Sequence, residues 1–480
     1  MKKKSLTTNY LYNVAYRILT LLTPLITTPY VSRILGVDNI GIYNYTYSVV
    51  SYFVLFGVLG LQMYGQREIA CHFNNPKQND KVFWQIVWVR MITIGIALTA
   101  YVVILWNTPY RIYYVIFGLE LLANAFDISW YYYGKEEFKL ITIRNFIVKL
   151  IGVACVFSFT NGKEDLPVYI FCHVIVLFFG NMSLWFGMKS RIKLVHPISK
   201  ECFKHVKMMF IFFVPQCIDS VYMLMDKVML GNISTMQQVG IYGQAEKIVK
   251  MLVTVITSMG LVVSPRIAQC FSIRDYQGIK KYMRQSFGFV FSIGLPIVFG
   301  LISVAPEFST WFFGADYDGV DMVMGMLAPI IILMGLNSVM GWQYLMTVGK
   351  EKDFIKSVSV GAMINFIMNY ILIPRYAALG AVVASIASML VMTLINVYFV
   401  KNVVSIKEII LMLLKPLSAS LLMFCTVKLV GSFLYGGFIM ICIEAVVGVT
   451  IYLILALILK DEFIKRFIDK CHGVPKVKKR

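Results

Sequence analysis

The stretch RILGVDNIGIYNY at residues 33–45 is echoed by VMLGNISTMQQVGIYGQ at residues 228–244, where Leu-Gly is again followed by Gly-Ile-Tyr. A shift of 199 positions places Gly41 on Gly240 and Tyr43 on Tyr242. Further identities keep this register without a gap: Arg67 with Arg266, Cys71 with Cys270, Gln78 with Gln277, Lys81 with Lys280, and Ile94-Gly95 with Ile293-Gly294. Several identities in one register indicate an internal duplication.

The composition indicates a protein of the lipid bilayer. Hydrophobic residues make up 59% of the 480 residues and the mean hydropathy is +0.73, whereas soluble domains are about 45–50% apolar. A membrane-spanning helix needs roughly 20 mostly apolar residues. We therefore predict an all-α integral membrane protein with about fourteen spans. They are 9–32, 40–66, 82–106, 111–133, 140–160, 166–188, 206–231, 238–264, 283–305, 322–347, 354–373, 377–400, 409–432 and 436–459.

The distribution of charge sets the expected topology and argues against a nucleic-acid partner. The 45 Lys and Arg residues exceed the 25 Asp and Glu residues by 20. With the N-terminus in the cytoplasm, 32 basic residues fall in inner loops and tails, and four fall in outer loops: Arg33, Arg111, Lys163 and Arg375. This bias follows the positive-inside rule. Both termini are therefore expected in the cytoplasm, where the basic C-terminal tail attracts anionic lipid.

Cysteine and histidine usage predicts neither a disulfide framework nor a metal centre of the zinc type. The nine cysteines form no C-x-x-C pair, and none of the five histidines neighbours another plausible ligand. No cofactor is expected. The first apolar segment carries Arg17 and two prolines and lacks a small-residue cleavage site, so we interpret it as a retained span rather than a signal peptide.

A second echo fixes the orientation of the duplication. The loop YYYGKEEF at residues 131–138 corresponds to MTVGKEKDF at residues 346–354. Six predicted spans separate the copies, and an even number gives both copies the same orientation in the membrane. We expect an N-terminal six-helix bundle at residues 1–200, a parallel second bundle at residues 201–402, and two additional helices with a basic tail at residues 403–480. Duplicated transporters place substrate near the midplane between such repeats.

Charged residues within predicted spans are candidates for function, because a charge facing lipid costs several kcal/mol. Arg17 follows Asn13 at helical spacing and gives the first helix a polar stripe. Lys247 and Lys250 share a face of the eighth span and align with Ser48 and Ser51 in the repeat register. Snorkelling and structural ion pairs are the alternatives. The predicted cavity cations are Arg17, Arg90, Lys149, Lys247 and Lys250.

Acidic and aromatic side chains form a second group of candidates. Glu120, Asn124 and Asp127 share one face of the fourth span, where they predict either an ion pair with Arg17 or Arg90 or a proton relay. Tyrosines of the second span either stack on a bound ligand or belong to the interfacial belt. The candidate ligand contacts on this span are Tyr43, Tyr47, Ser48 and Ser51.

The segments TTPYVSRILGVDNIGIYNYTYSVVSYFVLFGVLGLQMYGQREIA (27–70), MLMDKVMLG (223–231) and SPRIA (264–268), with the YYYGKEEF loop, resemble the oligosaccharide repeat-unit flippases of the Wzx type. That family belongs with lipid II flippases and multidrug exporters in the MOP superfamily. The resemblance implies two bundles in a V around a central cavity. It also implies transport of an undecaprenyl-pyrophosphate-linked glycan across the bacterial plasma membrane, for O-antigen or capsule synthesis. The ligand contacts predicted on the second span are then candidate sugar contacts. A monomer is expected, with a polymerase or chain-length regulator as its expected partner.

Three other functions stay open on the sequence alone. A lipid II flippase needs the same pyrophosphate chemistry, and a multidrug or cation antiporter of the superfamily is expected to favour acids over cations in its cavity. A membrane glycan polymerase usually carries its catalytic groups on a large outer loop. The longest outer loop predicted here is about fifteen residues, APEFSTWFFGADYDGVD (305–321), so this last function is the least favoured.

The resemblance to lipid II flippases also implies a coupling cation, either Na⁺ or H⁺. The positions that match their sodium ligands are Asp226, Asn365, Asn369, Ala381 through its carbonyl, and Ser385. Asn365 and Asn369 lie four residues apart and therefore on one helix face. Asn369 stands where the relatives carry a second acid, which lowers the charge of the site. The alternative is that Asp226 pairs with a lysine and the asparagines bridge helices.

Overall fold

The computed structural model is helical in nearly all of the chain that it describes. The described residues are 6–188, 191–195, 199–433, 437–461 and 463–465. Within them, the side chains of residues 6–18, 21, 199–200, 211, 214–216 and 218–223 are not described.

The described helices follow one another with short connections. In chain order they are α1 (Leu6–Val58), α2 (Leu61–Cys71), α3 (Pro76–Leu105), α4 (Arg111–Ala125), α5 (Ser129–Gly134), α6 (Phe138–Phe159), α7 (Leu166–Ser183), α8 (Ser199–Ile233), α9 (Met236–Thr257), α10 (Gly260–Ser272), α11 (Tyr276–Phe313), α12 (Val320–Leu327), α13 (Ile330–Asn337), a π-helix (Ser338–Leu345), α14 (Glu351–Val400), α15 (Ile406–Gly431) and α16 (Phe438–Ile458).

Eleven helical segments of the described chain are long and apolar enough to span a membrane. Two of them cover 50 residues each and contain two predicted spans, because α1 continues through a kink at Gly36 and α14 through one at Ala377. The segment of α8 is the third difference from the predicted fourteen. Large apolar side chains are exposed on the helix surfaces, as lipid requires. The prediction of an all-α membrane protein is confirmed.

One outer loop is shorter than the sequence predicts. The stretch 305–321 was expected as a connection between spans, but α11 continues as a helix to Phe313, and α12 begins at Val320. Pro306 does not end α11. Glu307 therefore lies on a helix rather than in a loop.

By its internal packing, the chain separates into two compact units, Met1–Gly240 and Ile241–Arg480. In the first unit α4 packs on α7, α1 packs on α3, and α8 packs on α1, α2 and α3. In the second unit α11 packs on α15, and α15 packs on α16. The helix α8 thus belongs to the first unit, and the boundary that the repeat places at residue 200 stays a prediction.

Interruptions of the helices recur in the repeat register. Gly36 bends α1 with a φ of +76°, and 199 residues later Thr235 separates α8 from α9. Gly60, with a φ of +68°, separates α1 from α2, and its equivalent Met259 separates α9 from α10. The helices that follow begin with similar caps, which lie one residue out of this register: Asn75 accepts from the Gln78 amide at 3.2 Å and Asp275 from the Gly278 amide at 2.8 Å. The internal duplication of the sequence is therefore also seen in the positions of the helix breaks.

The repeated glycines lie against each other. A Cβ on Gly41 would lie 1.8 Å from the carbonyl oxygen of Met236, and a Cβ on Gly240 would lie 2.2 Å from the carbonyl oxygen of Val37. Val37 and Met236 are themselves equivalent under the shift of 199. Each glycine thus contacts the same carbonyl of the other copy, inside the first unit. Only a residue without a side chain permits two helix backbones to approach so closely.

The seam between α1 and the α8–α9 corner continues one turn further along α1. Tyr45 packs against the backbone of Gly231, where an added Cβ would lie 2.1 Å from the ring. The Tyr45 hydroxyl donates to Asn232 Oδ1 at 3.0 Å. Gly231 of the second Leu-Gly element and Gly240 of the second Gly-Ile-Tyr element therefore both lie in this seam.

Ion pairs repeat in the same way. Lys81 of α3 pairs with Glu201 at 2.7 Å, and its equivalent Lys280 of α11 pairs with Glu408 at 2.8 Å. Glu201 and Glu408 lie in the first turns of α8 and α15, where a carboxylate also complements the helix dipole. The first pair thus joins α8 to α3, and the second pair joins α15 to α11.

A buried histidine strengthens the first of these connections. The Tyr64 hydroxyl lies 2.5 Å from His205 Nδ1, and His205 Nε2 lies 2.9 Å from Gln85 Oε1. Gln85 in turn donates to Glu201 at 2.6 Å. Burial lowers the pKa of His205, so the ring is neutral at pH 7. It then accepts from Tyr64 and donates to Gln85.

We predict that Gly41→Ala and Gly240→Ala each destabilise the protein. Overpacking typically costs about 1–3 kcal/mol, and here the new methyl group meets backbone that cannot turn away, so the loss should reach at least that range. The apparent Tm of the purified protein measures it. Gly95→Ala is the matched control, because nothing lies within 4 Å of a Cβ at that position. Wild-type Tm in all three variants would refute the close contact.

Candidate functional site

The break in the fourth predicted span exposes backbone carbonyls that side chains satisfy. The helix α4 ends at Ala125, and α5 begins at Ser129. Arg90 of α3 donates from Nε to the Asn124 carbonyl at 2.5 Å. Two more carbonyls are satisfied in the same way, Ala123 by Asn181 and Phe126 by the Trp185 indole, both at 2.7 Å. A helix end inside the bilayer requires such partners.

The guanidinium of Arg90 is fixed by this role. Arg90 is 1% exposed, and its Nη2 lies 3.8 Å from Asp127 Oδ2. Its positive charge sits at the C-terminal end of α4, where the helix dipole favours a cation. Nη1 makes no hydrogen bond with any described residue. The structure therefore pairs Arg90 with Asp127, which is one of the two interpretations that the sequence left open. The Nη1 group of Arg90 is left without a hydrogen bond to these residues.

Glu120 lies on α4 beside a cluster of aromatic rings. It is 6% exposed, and its Oε2 has no hydrogen-bond partner within the described chain. The Tyr43 ring stacks on Tyr47 at 5.8 Å and meets Tyr169 at 5.1 Å. Both tyrosines also lie near His173. The candidate sugar contacts thus pack in the core of the first unit, and their contact with sugar stays a prediction.

The serines of the same helix bond to their own backbone. The Ser48 hydroxyl donates to the Asn44 carbonyl and the Ser51 hydroxyl to the Tyr47 carbonyl, both at 2.7 Å. Their assignment to sugar also stays a prediction. Lys149 on α6 is half-buried and makes neither an ion pair nor a hydrogen bond with the residues described. The side chain of Arg17 lies outside the described residues.

The predicted cations of α9 differ in their surroundings. Lys250 Nζ lies 2.6 Å from Glu246 Oε1, one turn earlier on the same helix. Sequence reasoning missed Glu246, although its spacing of four from Lys250 is the usual signal of such a pair. Lys247 lies between them and is half-buried. Lys250 is therefore partly neutralised by a neighbour on its own helix.

Polar residues of α14 form a buried network in the second unit. Asn369 donates to Asn365 Oδ1 at 3.1 Å, and Asn365 donates to Ser385 Oγ at 3.4 Å. The Tyr242 hydroxyl lies 3.4 Å from Ser385 Oγ and was not predicted. Ala381 is fully buried on the same helix, and Asp226 is buried in the first unit.

The network gathers oxygen donors of the class that hard cations prefer. It holds three of the predicted sodium-ligand residues. Groups of three or more His, Cys, Asp or Glu side chains suited to a metal are absent from the described residues. The sodium site as a whole stays a prediction.

A duplicated set of membrane helices with interrupted spans and buried charges is typical of a membrane transporter, and comparison with known families agrees. The model of the polysaccharide biosynthesis protein family matches residues 6–271, and the MatE model matches residues 212–371. The chain belongs to the polysaccharide biosynthesis protein family. The family expected from the repeated motifs is confirmed.

Named relatives and solved structures extend this result. The chain is 24% identical over 423 residues to a putative O-antigen transporter of Escherichia coli (strain K12), which covers 83% of this chain and 98% of that protein. It is 23% identical over 219 residues to a probable low-salt glycan biosynthesis flippase of Haloferax volcanii. That alignment covers 45% of this chain and 46% of the relative.

The fold is also that of known flippases and exporters. The lipid II flippase MurJ in an inward closed conformation superposes with a TM-score of 0.75 at 16% identity, over 95% of this chain and 100% of that one. An inward-facing MATE family multidrug resistance transporter of the MOP superfamily superposes with a TM-score of 0.63 at 12% identity, over 80% and 95%. At these identities the likeness concerns the fold.

We predict that Arg90→Gln lowers the stability of the protein sharply. The change leaves the Asn124 carbonyl and the Asp127 carboxylate without their partner, and breaking a buried pair costs about 3–5 kcal/mol. Arg90→Lys should recover part of the loss, because it restores the charge but not the planar donor group. The apparent Tm and the amount of folded protein in the membrane measure both effects. Lys77→Gln, at an exposed site, is the control. A stable Arg90→Gln protein would contradict the capping role.

Proposed function

We propose that this protein flips an undecaprenyl-pyrophosphate-linked oligosaccharide repeat unit from the inner to the outer leaflet of the plasma membrane, for surface polysaccharide synthesis. The observation that carries the proposal is the similarity to a putative O-antigen transporter across 98% of that protein's length. The fold of a lipid II flippase supports it, since that protein's name describes movement of another lipid-linked precursor.

The chemistry of the head group selects among the buried cations. A pyrophosphate carries about two negative charges, so it needs cations that are not already neutralised within the bilayer. Arg90 and Lys250 have carboxylate partners in Asp127 and Glu246. Lys149 and Lys247 are half-buried and lie on separate helices. We therefore assign a phosphate contact to Lys149, which makes no ion pair with the residues described, and we keep Lys247 and Arg17 as the further cations predicted from the sequence.

The duplication suggests how the substrate crosses. Alternating access in repeat transporters proceeds by rocking of one repeat against the other around a central site. In this protein the seam of Gly41 and Gly240 joins the two copies at backbone level. We propose that this seam parts when the outer side opens. Kinks at Gly36 and Ala377 and the break at Gly60 provide points where helices bend.

The surroundings of the transporter follow from the same proposal. Both termini lie in the cytoplasm, in keeping with the positive-inside bias of the loops. The protein works as a monomer and releases its product in the outer leaflet to a polymerase or a chain-length regulator.

Transport is coupled to a cation in this proposal. Asn365, Asn369 and Ser385, the Ala381 carbonyl and the Asp226 carboxylate would hold Na⁺, which supplies the charge that drives the return of the empty carrier. The buried amide and hydroxyl oxygens on α14 fit such an ion. Glu120, whose Oε2 has no partner among described groups, is the place where H⁺ would bind instead.

We predict that the purified protein in liposomes moves a fluorescent repeat-unit lipid. Lys149→Ala and Lys247→Ala should each slow this movement at least about tenfold, which corresponds to a barrier that is higher by about 1.4 kcal/mol. Dithionite quenching of outer-leaflet fluorophores measures the rate. Arg375→Ala removes an exposed cation of α14 beside the kink at Ala377, and this matched control should keep the wild-type rate.

The same assay separates the rival functions. Faster movement of lipid II than of the repeat-unit lipid would favour a lipid II flippase, and export of a cationic dye without lipid movement would favour an antiporter. Movement at the protein-free rate for every lipid would overturn the proposed function. Equal rates in wild type and both lysine variants would overturn the assignment of the phosphate contacts.

A further inference from the structure

The ends of three helices meet at the predicted outer side of the second unit. The helix α16 packs on α15, and both pack on α11. Trp311 near the end of α11 stacks on Phe438 at the start of α16, with ring centroids 4.7 Å apart. At the opposite end of α16, Phe463 meets Phe289, earlier on α11. The two helices are therefore antiparallel, and this stacked pair aligns them.

The alignment places three polar residues within about 6 Å of one another along the helix axes. Glu444 follows Phe438 by six residues, while Glu307 and Ser303 precede Trp311 by four and eight residues. At 1.5 Å per residue these offsets correspond to about 9, 6 and 12 Å from the stacked rings. Glu444 thus lies at a level between the other two. Ser303 and Glu307 share one face of α11, because they are four residues apart.

All three residues bury an oxygen atom that lacks a hydrogen-bond partner in the described chain: Glu307 Oε2, Glu444 Oε2 and Ser303 Oγ. Glu444 is 2% exposed and Ser303 is fully buried. The Glu444 carboxylate is pressed against α15, since a Cβ on Gly431 would lie 2.3 Å from its Oε1. Buried polar atoms almost always have partners, so three orphans this close along the helix axes call for a bound group.

The charges at this place specify the kind of group. The charged residues that act on Glu444 are Glu307 of α11 and Lys428 of α15. Glu307 repels it. Lys428 attracts it but lies on the exposed side of α15, and within the described residues it forms no ion pair with either carboxylate. If both carboxylates are ionised here, no buried counter-charge balances them within the described residues, and a bound cation would supply that charge.

We propose that Glu307, Glu444 and Ser303 form a binding site for a hard divalent cation, with Ca²⁺ as its representative. Two carboxylates match a charge of two, and hydroxyl and carboxylate oxygens are the ligands that such ions prefer. The bound ion holds the outer ends of α15 and α16 to α11. The site is separate from the lysines assigned to the phosphate and does not rest on the proposed function.

Calcium-dependent stability of the purified protein tests this site. At constant ionic strength, CaCl₂ should raise the apparent Tm of the wild type by about 2 °C or more and then saturate. Glu307→Gln, Glu444→Gln and the double variant should lose the shift. In metal-free buffer the double variant should melt at or above the wild-type Tm, because the repulsion is gone. Asp318→Asn, an exposed carboxylate of the loop between α11 and α12, should keep the full response.

Three results would overturn the site. One is a wild-type Tm that does not respond to CaCl₂. Another is a calcium response that persists in the double glutamine variant. The third is a Tm that changes with pH in metal-free buffer and ignores calcium, which would identify a protonated carboxyl in place of a metal ion. MgCl₂ and NaCl arms at the same ionic strength separate a calcium effect from general screening.

Discussion

The structure depends on a backbone contact between two glycines. Gly41 and Gly240 each leave room for a carbonyl oxygen of the opposite copy, at distances that no side chain permits. Because Val37 and Met236 are equivalent under the same shift, the contact obeys the approximate symmetry of the duplication. Two copies of one sequence element thus meet as two halves of one contact. This explains why the chain repeats Gly-Ile-Tyr, since a change in one copy leaves the other without its partner surface.

The breaks in helices inside the bilayer impose a second structural requirement, which is that the freed carbonyl groups find hydrogen-bond donors. Each break frees carbonyl groups that lipid cannot satisfy, and side chains from neighbouring helices must do so. Arg90, Asn181 and Trp185 perform this role at the end of α4. Arg90 is thus a buried cation that holds the fold. Lys149 has no partner among the described residues, and it is the cation that we propose for the anionic head group.

The sequence predicted the helical class, the family and the register of the duplication, because hydropathy and exact spacing are local properties. It did not predict contacts that depend on which helix lies opposite. Tyr43 and Tyr47 pack against rings of α4 and α7, contacts that the sequence did not indicate, and their contact with sugar stays a prediction. Glu307 was placed in a loop because the apolar span was taken to end at residue 305, whereas α11 continues to Phe313 through Pro306. Glu246 could have been found from its spacing to Lys250.

A reversible cross-link at the seam measures the central claim most directly. Gly231 and Tyr45 lie in contact one turn beyond Gly41, so cysteines introduced by Tyr45→Cys and Gly231→Cys fall within disulfide range. Mass spectrometry of linked peptides reports the bond, and lipid flipping is measured on the same sample. The account predicts that the disulfide bond forms under mild oxidation and stops lipid flipping. Reduction of the bond should restore flipping. Cysteines that stay unlinked, or full flipping while they are linked, would contradict it.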